Sequence, residues 1–137
     1  MRPIPMSPVT VDLHGECRLE PTSETYELSI LPPDVSWGYG AEVELDRGLL
    51  YSGKQWVIAE FGPIEQSFGI GILDGRRDQF HTRTEVPVSQ VPVEIWLHIN
   101  DPADVSRMII QNWVSPLRDP QRLRALWVVR ERIELPR

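Results

Sequence analysis

An α+β fold is predicted: mainly an antiparallel β-meander, able to curl into a barrel or half-barrel, with one C-terminal helix packed on it. Three observations predict it. Apolar and polar residues alternate along most of the chain up to Ile99, the two-residue period of half-buried strands. Single prolines and glycines fall between those runs as turn and strand-end punctuation, and 13 prolines in 137 residues is a high share. After Asn100 the apolar period changes to that of a helix.

The first strands are short. Val9, Val11 and Leu13 share one face, and His14-Gly15 marks a turn or bulge. Cys17 and Leu19 alternate with Glu16, Arg18 and Glu20. Tyr26, Leu28 and Ile30 form a third run, which Pro32-Pro33 stops. Trp37, Tyr39, Ala41, Val43 and Leu45 then line one face of the clearest strand, with Glu42, Glu44 and Asp46 on the other. Beyond a turn at Ser52-Gly53, residues 55–61 are apolar on both faces and read as a central strand. Asp74-Gly75 joins the runs 67–73 and 79–86 as a hairpin. Val91, Val93, Ile95, Leu97 and Ile99 form the last alternating strand.

The helix is read from its start signals. Asp101 suits an N-cap, Pro102 the first helical position, and Asp104 the positive end of the dipole. Val105, Met108, Ile109 and Trp113 follow at helical spacing until Pro116. Asp119-Pro120 repeats the start signal, predicting a short helix to about Ala125 and then a strand through Trp127 and Val129. Residues 1–8 read as an extended N-terminal arm and residues 9–137 as a single globular domain of ordinary size.

Composition narrows the function classes. Cys17 is the only cysteine, so no intramolecular disulfide can form; with no visible signal peptide, this points to the cytoplasm. Thirteen of the 14 basic residues are arginine, which points to a GC-rich bacterial genome. The whole net charge of −6 falls in residues 1–60, where ten acids face four bases. Such a surface repels nucleic acid and anionic membranes and favours a basic partner.

Chemical signatures are sparse. His14, Glu16 and Cys17 form the only local group with metal-ligand types, and no second pair stands at a ligand spacing. No G-x-S-x-G elbow or cysteine–histidine signature appears. Gly69 and Gly71 lack the spacing of a phosphate loop and read as strand positions where a large side chain or a neighbouring backbone packs closely. Arg76-Arg77, with Arg83 nearby, offers a small anion site at a solvated turn. His81 reads as a surface histidine.

Five tryptophans carry more information. Trp37, Trp56, Trp113 and Trp127 can all be placed inward, whereas Trp96 shares the polar face of its strand with Glu94 and His98. An exposed tryptophan is a favoured interface anchor; the alternatives are that this strand is buried on both sides or that the C-terminal helix covers that face. The leading expectation is therefore a non-catalytic protein-binding module, an immunity-type inhibitor or an accessory subunit. Its docking surface would be acidic and aromatic, formed by Glu42, Glu44, Asp46, Trp96 and His98. The alternative is a carrier of a small apolar ligand in a β-barrel cavity. No catalytic residue, metal or cofactor is expected.

Overall fold

A computed structural model describes residues 4–5, 11–21, 26–45, 55–76 and 79–130. In chain order its strands begin with β1 (Ile4–Pro5), β2 (Val11–Leu13), β3 (Arg18–Pro21), β4 (Tyr26–Ile30) and β5 (Tyr39–Glu44). They continue with β6 (Gln55–Phe61), β7 (Phe68–Leu73), β8 (Phe80–Val86), β9 (Val93–Ile99), β10 (Arg107–Gln111) and β11 (Gln121–Arg130). Asp46, the turn at Ser52-Gly53 and residues 131–137 lie outside the described residues.

The strands form two antiparallel sheets. One has the order β3-β4-β11-β6-β9, with β1 paired to β11; the other has the order β2-β5-β10-β7-β8. The sheets face each other across one core. Val57, Ala59, Phe61, Leu97 and Ile99 enter it from the first sheet. Ala41, Val43, Phe68, Ile70, Ile72, Met108 and Ile110 enter it from the second. Phe61 and Phe68 meet edge to face across the layers, with ring centroids 5.1 Å apart.

The architecture is thus an all-β sandwich, and the expected α+β meander is corrected in two respects. Only β3–β4 and β7–β8 are both consecutive in sequence and adjacent in a sheet. The remaining strands mostly cross from one sheet to the other, in the manner of a jelly roll. Alternation within one strand specifies its buried face but not its neighbour, so it could not distinguish a meander from this crossed order. The two sheets stay distinct, and the space between them is filled by the core rather than opened as a barrel lumen.

The second correction concerns the helix. Asp101 does cap a turn, its side chain accepting the Ala103 N–H at 3.0 Å, with Pro102 in the first position. That turn is a 3-10 segment of three residues, Pro102–Asp104, and Val105 returns to extended backbone. Met108 and Ile110 then point into the core, while Ile109 and Gln111 are covered on the opposite face. A strand buried on both sides carries apolar residues at consecutive positions, and these mimic helical spacing. The β-branched Val105, Ile109 and Ile110 favour the extended form. Asp119-Pro120 likewise leads into β11, with strand beginning at Gln121 where the sequence predicts a short helix.

The last two strands hold the centres. β10 lies between β5 and β7, and β11 lies between β4 and β6. Truncating the inter-sheet contact should test this packing. Phe61→Ala is expected to lower unfolding stability by roughly 3–5 kcal/mol, read as a shifted urea midpoint with an unchanged slope.

Candidate functional site

The outer face of the five-stranded sheet is paved with aromatic rings, and the paving begins with two glycines. Along β7, Phe68, Ile70 and Ile72 face the core, which turns Gly69 and Gly71 outward. A Cβ at Gly69 would stand 2.5 Å from the Trp113 ring, and one at Gly71 would stand 2.7 Å from the Phe80 ring. Both rings therefore lie against bare backbone, as the sequence reading of these glycines anticipates.

Tyr39 joins them through an irregularity in β5. The register shifts between Ile110 and Gln111 of β10, so that Ala41 pairs with Ile110 and Tyr39 with Gln111, leaving Gly40 as the extra residue. Such a bulge re-aims the next side chain. Tyr39 consequently reaches the outer face, 6.3 Å from Phe80 in an edge contact, rather than sharing the face of Ala41 and Val43. Burial and the charge of Glu42 push its phenol pKa upward, partly offset by Arg83. The hydroxyl is thus protonated at neutral pH and can donate.

Trp37 completes the group from the β4–β5 loop. Its ring stands 4.8 Å from that of Trp113 and is 42% exposed. Arg83, exposed on β8, spans the cluster: its guanidinium lies 4.7 Å from the Phe80 ring centre, 5.4 Å from Trp37 and 5.5 Å from Trp113. Cations are attracted to ring faces at these distances.

Asn112 fixes the two loops that carry the tryptophans. Its buried amide nitrogen donates to the carbonyls of Pro33 (2.8 Å) and Val35 (2.9 Å), and its amide oxygen accepts the Leu117 N–H (2.9 Å). The Asn112 N–H donates to the Gly38 carbonyl, and the Trp37 N–H to the Trp113 carbonyl at 3.0 Å. Ser36 Oγ donates to the Val114 carbonyl at 2.6 Å. Trp37 itself has a φ of 63°, the left-handed region that a bulky side chain enters only under constraint.

Polar groups border the rings. Gln111, 1% exposed beside Trp113, has neither amide atom hydrogen-bonded. Toward β2, His14 Nε2 lies 2.6 Å from Glu42 Oε2, and Arg107 is hydrogen-bonded to Asp12 with Glu42 3.8 Å away. The hydrogen bond that Arg107 donates to the Asp12 carboxylate pushes the guanidinium pKa further up. Among the described residues, no group of three or more potential metal ligands is gathered.

The residues singled out in the sequence do not form one surface. Glu42 and Glu44 project from β5 on the aromatic face, and Glu42 is partly buried and paired rather than bare. Trp96 and His98 lie on β9, on the outer face of the other sheet. There Trp96, 48% exposed, meets Trp56 edge to face at 6.3 Å, and His98 lies 5.2 Å from Trp56. Trp37, Trp56 and Trp113 are therefore not core residues as expected. His81 is not the surface histidine expected: its side chain is largely buried, and its Nε2 accepts the Asn100 N–H at 3.2 Å. Trp113, Phe80, Tyr39 and Gln111 went unselected in sequence because each sits within a pattern that reads equally well as core.

No family model matches the sequence, and no curated protein does. Solved structures do share its fold. The C-terminal CBM6 of LamC, a marine laminarinase from Zobellia galactanivorans, aligns with a TM-score of 0.59 at 9% identity, covering 94% of this chain and all of that one. The C-terminal family 22 carbohydrate binding module of Clostridium thermocellum Xyn10B aligns at 0.53 and 12% identity, covering 87% and 82%. A carbohydrate binding module of Cellvibrio mixtus lichenase 5A, solved with cellotriose, aligns at 0.54 and 11% identity, covering 92% and 100%. The protein-docking module and the apolar-ligand carrier expected from sequence are accordingly set aside. The carrier needed a barrel, and the fold is a filled sandwich whose neighbours bind carbohydrate.

Two variants test how the site is held. Asn112→Ala leaves two carbonyls and one N–H without partners and should cost roughly 2–4 kcal/mol in chemical denaturation. Trp37→Gly should be more stable than Trp37→Ala by about 1 kcal/mol, because only glycine is unstrained at this φ.

Proposed function

We propose that this protein is a carbohydrate-binding module whose ligand lies across the outer face of the five-stranded sheet. The observation that carries the reading is the aromatic platform of Trp37, Trp113, Phe80 and Tyr39, seated over Gly69 and Gly71. One face of a pyranose ring presents weakly polarised C–H groups, which suit the negative face of an aromatic ring. Its hydroxyls demand hydrogen-bonding partners at the edge, where Tyr39, Arg83 and Glu42 stand. The platform lies on the outer face of a sheet and spans several strands, which suits a chain of sugars rather than a single one.

Gln111 supports the same reading from energetics. A buried amide without partners costs about 1–3 kcal/mol, and proteins retain few such groups without a use. A ligand hydroxyl reaching past the edge of Trp113 would satisfy it, the ring giving way as it does so. The bulge at Gly40 and the Asn112 clamp fix the backbone that carries the rings, which limits the ordering cost of binding to the side chains.

The test is affinity electrophoresis and calorimetry against soluble β-glucans, xylans and cellotriose, with tryptophan fluorescence as a second readout. Trp113→Ala and Trp37→Ala are each expected to weaken binding by roughly tenfold or more, as for a truncated aromatic anchor. Gln111→Leu should move two properties in opposite directions: stability unchanged or raised by about 1 kcal/mol, since an unsatisfied amide is replaced by an apolar group of similar size, and affinity lowered. A panel on which wild type and both tryptophan variants fail to bind alike would overturn the reading.

A further inference from the structure

We infer that the ligand carries a negatively charged sugar, with a carboxylate or sulfate, at the β7–β8 side of the platform, and that Arg83 recognises it. The inference rests on the carbohydrate reading and adds the charge of one residue of the chain. The three partnered arginines provide the contrast. Arg107 carries Asp12 and Glu42, Arg122 carries Glu20 (2.9 Å) and Glu27 (3.2 Å), and Arg18 lies 3.5 Å from Glu20.

Arg83 has no carboxylate within ion-pair distance among the described residues, nor have Arg76, Arg118 and Arg124; it differs from these in lying over three aromatic rings. Glu85, two positions along the same face of β8, is engaged instead by the Ser67 hydroxyl at 3.3 Å. Three rings hold the Arg83 guanidinium beside the tryptophans, so its planar set of N–H donors is positioned before any anion arrives. An oxyanion on a sugar stacked against Trp37 and Trp113 can take two parallel hydrogen bonds from that group.

The remaining charges limit the anion to one place. Glu42 stands opposite Arg83 in the same row of the sheet, with Ile109 and Gly71 between them. Three strand spacings separate them, about 14 Å, and Asp12 continues the row beyond Glu42. A polyanion laid across the face would meet these acids. The fitting ligand is therefore a mostly neutral chain with a single charged residue.

The experiment compares two neutral chains, cellohexaose and xylohexaose, with four singly charged ones. These are cellohexaose with one residue oxidised to glucuronate, cellohexaose with one sulfate ester, xylohexaose bearing one glucuronate branch, and xylohexaose bearing one sulfate. Polyglucuronate, as cellohexaose oxidised at all six residues, is the sixfold-charged limit of the series. Wild type should favour a singly charged chain over its neutral parent by about tenfold, with the larger gain identifying carboxylate or sulfate. Polyglucuronate should bind no better than the singly charged chain.

The readout is the ratio of charged to neutral affinity. Arg83→Gln should bring that ratio to about one, and Arg83→Lys should retain part of it, because charge survives without the planar donor set. Should Arg83 only brace the rings, both affinities would fall together and the ratio would survive in Arg83→Gln; that result overturns the inference. Equal wild-type binding of charged and neutral chains overturns it too, while leaving the carbohydrate reading intact. Failure of every chain to bind overturns both.

Discussion

The buried side chain of Asn112 joins three stretches of backbone that no strand pairing connects. It takes the carbonyls of Pro33 and Val35 from the β4–β5 loop and the N–H of Leu117 from the segment before β11. The loop between two crossing strands has no ladder of its own, so its shape is set by whatever satisfies its backbone groups. Here one amide does so at the sandwich edge, and the Ser36–Val114 and Trp37–Trp113 contacts follow from the alignment it imposes. The positive φ of Trp37 is tolerable only in such a surrounding. Placement of Trp37 and Trp113 on the outer face is thus a property of the loops, while the flat bed beneath is a property of β7.

Much of the strand content was legible from alternation, and the residues where it failed share a cause. Ala41 and Val43 alternate with Glu42 and Glu44 because one face is dry and one is wet, and the strand is read correctly there. Ile109 and Gln111 break the pattern because the outer face is buried at their positions too, so the strand loses its wet side and resembles a helix. The site lies where that burial occurs. Gly69 and Gly71 could be read as close-packing positions, but which rings packed on them depended on β10 lying beside β7 and on the β8 register, neither of which is encoded locally. Tyr39 was assigned to the wrong face by a single extra residue, Gly40.

Charge behaves similarly. The acidic first 60 residues and the balanced remainder look like two separate surfaces when read along the chain. In the fold, Arg107 of β10 sits beside β5 and reaches Asp12 and Glu42, while Arg122 of β11 sits beside β4 and reaches Glu20 and Glu27. Arginines from late strands thus neutralise acids from early ones. Two such arginines offset part of the early excess of acids, and the net charge of −6 remains.

The central positions of β10 and β11 bear on how the chain can be made. Translation delivers β4, β5, β6 and β7 before the strands that separate them exist. Until residues 107–130 emerge, both sheets have a missing middle, and the inner edges of four strands expose unpaired N–H and carbonyl groups. Zipping from the N-terminus is therefore not open to this topology; closure waits for long-range insertion, which is slow because it fixes large loops first. A ribosome-bound nascent chain stopped short of β11 would be a sticky half-sandwich. The same crossing order that assembles the ring platform makes the protein dependent on rapid completion of its synthesis, or on a chaperone that shields those edges meanwhile.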